Sequence, residues 1–99
     1  MKLQFAEAAE QDLIRAFYFY EGQAEGVGQY FLDCLNSDID SLLLYAGIHP
    51  KRFEQFHWML SKRFPFSIYY TLDGDVVVVH AILDCRQDPK HMEERLGSL

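Results

Sequence analysis

The chain predicts an α+β fold in β-α-α-β-β-β order, with an antiparallel helical hairpin packed on a small, mostly antiparallel sheet and a short C-terminal helix. Three observations predict it. Polar and apolar residues alternate over residues 2–6 and then recur at helical spacing to about residue 46. The remainder is rich in β-branched and aromatic residues and is punctuated by Asp73-Gly74, a two-residue hairpin signal. Two helices followed by a meander of strands segregate into layers, which is the α+β arrangement.

The elements follow in order. Lys2-Leu3-Gln4-Phe5-Ala6 supplies a first strand. Ala9, Leu13, Ala16, Phe17 and Tyr20 form an apolar stripe, widened by Ile14. Glu7 and Glu10 sit in its first turn, where the helix dipole favours acids, and Gly22 is the expected stop. A second helix is expected over about residues 25–46, on the stripe Val27, Phe31, Cys34, Leu35, Ile39, Leu42, Leu43 and Ala46. The short connector makes the two helices antiparallel neighbours. Gly47 and Pro50 end the second, because a residue before proline avoids the helical region.

Phe53–Leu60 reads as an aromatic-rich strand. Lys62-Arg63-Phe64-Pro65 reads as a basic turn or edge segment, since Pro65 cannot donate to a central ladder. Phe66–Leu72 and Val76–Leu83 then form the hairpin around Asp73-Gly74. The second of these strands is apolar on both faces, as an interior strand requires. His80 is expected on the face shared by Val76, Val78 and Ile82, as a half-buried, hydrogen-bonded histidine or, less simply, a ligand. Pro89 opens the last helix, with Met92 and Leu96 on one face.

A chain of 99 residues is expected to form one domain over 1–99, with room for one ordinary core. At 49% hydrophobic residues, it needs no metal or disulfide to fold. Cys34 and Cys85 lack CxxC spacing and read as two reduced thiols. No stretch approaches the roughly 18 apolar residues of a membrane span. Glu7 and Glu10 come too early for a signal peptide, so the expected compartment is the cytoplasm.

The formal charge is −6, and all of it lies in the first half. Residues 1–50 hold Lys2 and Arg15 against eight acids, whereas residues 51–99 hold seven basic residues and seven acids. The strongly basic footprint of a nucleic-acid binder is therefore absent, which argues against direct nucleic-acid binding. The sequence also lacks HExxH spacing, a Walker loop, a GxGxxG turn and a GxSxG elbow, so neither metal nor cofactor is expected.

Four segments carry a resemblance. Ala8-Ala9-Glu10-Gln11-Asp12-Leu13 and Gly28-Gln29-Tyr30-Phe31-Leu32 resemble the A-x-x-D-L and L-G-x-x-F marks of the RelE/ParE toxin superfamily. Arg63-Phe64-Pro65-Phe66-Ser67-Ile68-Tyr69-Tyr70 is similar to its RFPY-x-IYY strand. Val77–Pro89 is similar to its V-x-V-x-A-V-L-H-x-R-R-D-P ending. The resemblance implies the toxin of a bacterial type II toxin–antitoxin pair, neutralised by a cognate antitoxin whose C-terminal segment wraps it. ParE-like members inhibit DNA gyrase; RelE-like members cut mRNA on the ribosome. The sequence departs from the pattern at Asp84, Cys85 and Gln87, and at His91, where ParE-like chains often carry tryptophan.

Two site readings follow from the resemblance. As an enzyme the chain would be a metal-independent endoribonuclease, driving a ribose 2′-OH onto the adjacent phosphate. Such chemistry needs a base, an acid and cations for the developing charge. The candidates are Arg63, Arg86 and Lys62 as cations and His91 as the titratable group. The alternatives are a solubilising charged edge for Lys62 and Arg63, an ion pair with Asp84 or Asp88 for Arg86, and a solvated helix position for His91. As a binding protein, the chain would use Trp58, Phe56, Tyr69 and Tyr70, together with Tyr18, Tyr20 and Tyr30, as an amphipathic groove for an antitoxin segment. Of the neighbours Tyr69 and Tyr70, at least one is expected to face outward. A third reading is a non-toxic interaction module that keeps the fold.

Overall fold

The switch in period near residue 6 marks the join between the first strand and the first helix. In the computed structural model, which describes residues 1–53 and 55–97, β1 spans Lys2–Phe5 and α1 spans Glu7–Glu21. The stripe buries Ala9 and Ala16 and half-buries Leu13, Phe17 and Tyr20. The next helix, α2, spans Val27–Asp40 and runs back along α1. The carboxylate of Glu21, at the end of α1, accepts the N–H groups of Gly26 at 3.0 Å and Gly28 at 2.9 Å. One side chain thus satisfies donors that the start of α2 leaves open. Gly28 is where the two helices touch: a β-carbon there would lie 2.8 Å from the ring and the carbonyl oxygen of Phe17.

The second helix is interrupted, where the sequence predicts a single run to residue 46. Ser41 breaks it, and a further helical turn, α3, covers Leu42–Tyr45. The Ser41 hydroxyl donates to the Asp38 carbonyl at 2.6 Å. A serine that bonds back to the preceding turn competes with the helical ladder and bends it. Beyond the break Leu42 is fully buried, but Leu43 leaves the predicted stripe and is 40% exposed.

The sheet has the order β1-β5-β4-β3-β2. Its strands are β2 (Lys51–Arg52), β3 (Phe56–Leu60), β4 (Phe66–Asp73) and β5 (Val76–Asp84). β1 runs parallel to β5, and the other pairings are antiparallel. The strand expected over Phe53–Leu60 is shorter, starting at Phe56, because Phe53 turns the chain with a positive φ of 53°. Glu54 lies outside the described residues. The Asp73-Gly74 signal marks the β4–β5 turn: Asp73 pairs with Val76, and Gly74 takes a φ of 62° that suits a residue without a β-carbon.

β5 carries a bulge. Tyr69 faces Ala81 and Tyr70 faces Val79, so His80 is the unpaired extra residue. This corrects the expected facing of His80. Val77 and Val79 before the bulge and Ile82 after it all pack toward α1 and α2. Ile82 therefore does not share a face with His80, whose ring meets Phe56 and whose Nε2 lies 2.8 Å from the Thr71 hydroxyl.

The final helix, α4 (Pro89–Gly97), covers the opposite side of the sheet from the hairpin. Its Met92 and Leu96 are buried with Phe56, Tyr69, Ala81 and Leu83. On the hairpin side, Phe31, Leu35, Ile39 and Leu42 pack with Met59, Phe66, Ile68, Tyr70, Val77, Val79 and Ile82. The sheet thus separates two cores, where the length of the chain led to the expectation of one, because strands β3 to β5 contribute alternate apolar residues to each side. None of the described helices is long and apolar enough to cross a membrane.

Candidate functional site

The basic residues of the β3–β4 connector are held by α2. Asp38, buried on the apolar stripe, accepts the Ser61 hydroxyl at 2.7 Å and the Lys62 N–H at 3.2 Å through Oδ2. The guanidinium of Arg63 donates to the Tyr30 hydroxyl at 3.2 Å. Lys62 and Arg63 are exposed and line a cleft of about 430 Å³ with Tyr30, Cys34 and the acids Asp33 and Asp38. Two cations facing two carboxylates leave little net field for a phosphate.

The other two candidates follow β5, Arg86 in the β5–α4 connector and His91 in α4. Arg86 donates to Asp84 through Nε at 3.0 Å and Nη2 at 2.7 Å, and its own N–H reaches the same carboxylate at 2.8 Å. These bonds hold the Asp84 carboxyl below its ordinary pKa. The ion-pair alternative for Arg86 is the arrangement observed, with the guanidinium 64% exposed. His91 is exposed in the first turn of α4 and lines a second cleft, of about 370 Å³, between α1 and α4. The four candidates thus fall into two groups. Lys62 and Arg63 share one cleft, His91 borders another, and Arg86 stands beside the second through Asp84.

Burial decides the aromatic candidates. Phe56 is 2% exposed, and Tyr69 and Tyr70 are both fully buried. The expectation that one of the two tyrosines faces solvent is wrong, because α4 covers the outer face of the sheet and the hairpin covers the inner one. Tyr69 packs against Met92, and Tyr70 packs inward with its hydroxyl accepting the Gly47 N–H at 2.9 Å. Trp58 is half-buried beneath the guanidinium of Arg52, 5.3 Å from the ring centre.

One open apolar surface lies on the hairpin. Ile14, Tyr18, Phe19 and Tyr30 are each about half exposed or more. A groove of about 540 Å³ runs between α1 and α2, floored by Phe5, Leu13, Phe17 and Leu32 and edged by Ile14 and Tyr18. Its signal in the sequence is the run Ala16-Phe17-Tyr18-Phe19-Tyr20, apolar around the whole helix circumference where one face would suffice for the core.

Two buried carboxylates lie outside the sequence-predicted site. Asp38 is described above. Asp12, the aspartate of the A-x-x-D-L segment, is 6% exposed. It accepts the Ile82 N–H at 3.0 Å, on the stretch of β5 that β1 does not reach, and takes two bonds from Arg95 of α4 at 2.9 and 2.7 Å. α1, β5 and α4 are thereby tied at one carboxylate. Among the described residues, no group of three or more His, Cys, Asp or Glu side chains is placed to hold a metal. Cys34 and Cys85 are unpaired thiols.

No protein-family model and no curated protein matches the chain. Among solved structures it is similar to a chain of the chromosomal ParDE TA system from P. aeruginosa, with a TM-score of 0.76 and 17% sequence identity. The match covers 83% of this chain and 92% of that one. At that identity the likeness shows a shared fold.

Proposed function

We propose that the chain is the toxin component of a type II toxin–antitoxin system, ParE-like in action, inhibiting a protein target such as DNA gyrase and neutralised by a cognate antitoxin. The observation that carries this reading is the exposed apolar groove on the helical hairpin, in a fold shared with a ParDE chain. Exposed patches of this kind mark polypeptide-binding surfaces, and a groove between two helices suits an amphipathic partner segment. The groove lies in the acidic half of the chain, which favours a protein ligand over a nucleic acid there. The separation of the three candidate cations and His91 into two places also speaks for binding over RNA cleavage, since phosphoryl chemistry needs its groups converged.

Induced expression in a bacterial host lacking the antitoxin tests the proposal. Growth arrest with loss of gyrase supercoiling in vitro is the expected result. Growth arrest with A-site cleavage of translated message and intact supercoiling would instead establish the RelE-like endoribonuclease. Normal growth at high expression would leave a non-toxic interaction module.

A further inference from the structure

The cleft between α1 and α4 combines unpaired polar groups with an apolar floor. Its two carboxylates are already engaged, Asp12 by Arg95 and the Ile82 N–H, and Asp84 by Arg86. Arg15, from the exposed side of α1, also lines it and makes no hydrogen bond or ion pair among the described residues. The side chains of Gln87, from the β5–α4 connector, and His91, from α4, line the cleft with donors likewise unengaged. An amide and an imidazole each offer an N–H whichever tautomer or flip is adopted. Phe66, Ile82 and Leu83 form the floor. Summing Asp12, Asp84, Arg15, Arg86 and Arg95 leaves one positive charge, on a chain that carries −6 overall.

We propose that this cleft binds a single carboxylate side chain, flanked by an apolar residue, presented by a polypeptide partner. It rests on the reading of the chain as a protein that docks a polypeptide. One guanidinium with an amide and an imidazole N–H matches one carboxylate, and the floor matches an aliphatic neighbour. A nucleic acid fits poorly. It brings a charge at every phosphate, and here one unpaired permanent cation faces it beside an α1–α2 half that repels polyanions.

The probe is acetyl-Leu-Glu-Leu-amide, titrated into the isotope-labelled full chain and followed by amide chemical shifts. The Gln counterpart and a short single-stranded RNA serve as the other arms. Saturable shifts at Gln87 and His91, about tenfold weaker for the Gln peptide, are expected. Arg15→Ala, a change at an exposed position, should abolish the Glu-over-Gln preference while leaving the remaining spectrum in place. Equal binding of the two peptides, a preference that survives in Arg15→Ala, tighter binding of RNA at these residues, or no saturable shift would each overturn the proposal. Toxicity is read separately by the growth assay, so a toxic chain can fail here and a non-toxic one can pass.

Discussion

Tyr70 shows how much one hydroxyl can hold. It accepts the Gly47 N–H and bonds Nδ1 of His49, while the ring of His57 stacks on its own ring with centres 5.1 Å apart. A hydroxyl oxygen can accept a second bond or donate one, so the tautomer of the His49 imidazole sets the direction of their bond. His57 in turn bonds the His49 carbonyl at 2.8 Å. Burial, and then the neighbouring His57, lower the pKa of His49 from its ordinary 6.5. A base whose native pKa is depressed contributes stability that is full above its unfolded pKa. That contribution falls as pH drops from 6.5 toward the native value and levels off below it. His80, lowered by burial, acts in the same direction. His49→Asn should therefore show a smaller loss of urea stability between about pH 7 and pH 5 than the parent chain. An unchanged slope would assign the effect to His80.

The same scale shows what the sequence conceals. Asp12 falls among Ala9, Leu13 and Ala16, and Asp38 among Leu35, Ile39 and Leu42, so both carboxylates sit on the helical stripes. An acid in an apolar stripe marks either a flaw in the period or a buried partner. Here the partners of Asp12 are 70 and 83 positions away, at Ile82 and Arg95, beyond any local pattern. The candidate catalytic residues were legible one by one but not as a constellation, because spacing along the chain does not reveal that α2 holds Lys62 and Arg63 while Arg86 and His91 follow β5 at another cleft.

At the scale of elements, the helices and the β4–β5 hairpin were legible because their periods are long and their turn is specific. The break at Ser41 was not, since the stripe runs across it and only the serine's bond to Asp38 opens the ladder. Bounds of the short strands depended on Phe53 adopting a positive φ, which a bulky side chain rarely does. The helix pair depends on Gly28. A β-carbon there meets not only the movable Phe17 ring but also the Phe17 carbonyl, which is fixed in α1. Gly28→Ala should push the helices apart and destabilise by about 1–3 kcal/mol, the range for overpacking. Thermal unfolding would check this. A variant as stable as the parent would mean that α2 can slide without loss.

For the whole molecule, the sequence predicts a final helix with Met92 and Leu96 on one face, but not which side of the sheet it takes. β4 and β5 are apolar on both faces, so either side offered a dock, and the structure places α4 opposite the hairpin. This is why the aromatic candidates Phe56 and Tyr69 became core and the open surface moved to α1 and α2. Leu96 is fully buried, and Leu96→Ala should cost about 2–4 kcal/mol. Urea denaturation would measure it, with dye binding to the uncovered Phe56 and Tyr69 as a second readout. A cost below about 1 kcal/mol would mean that α4 adds little to the second core.

The bulge at His80 bears on how the chain can vary in length. A residue added to a regular strand turns over every side chain that follows, yet here Val77, Val79 and Ile82 remain on one face and Ala81 and Leu83 on the other. Removing His80 would restore an ordinary ladder with all five of these residues facing as before. Removing Val78 instead would turn Val79 away from the hairpin and into the wrong core. β5 thus carries a built-in splice point beside its middle, where the loss of one residue leaves the facing of the others unchanged, flanked by stretches in which the reading of the pleat admits no change of length.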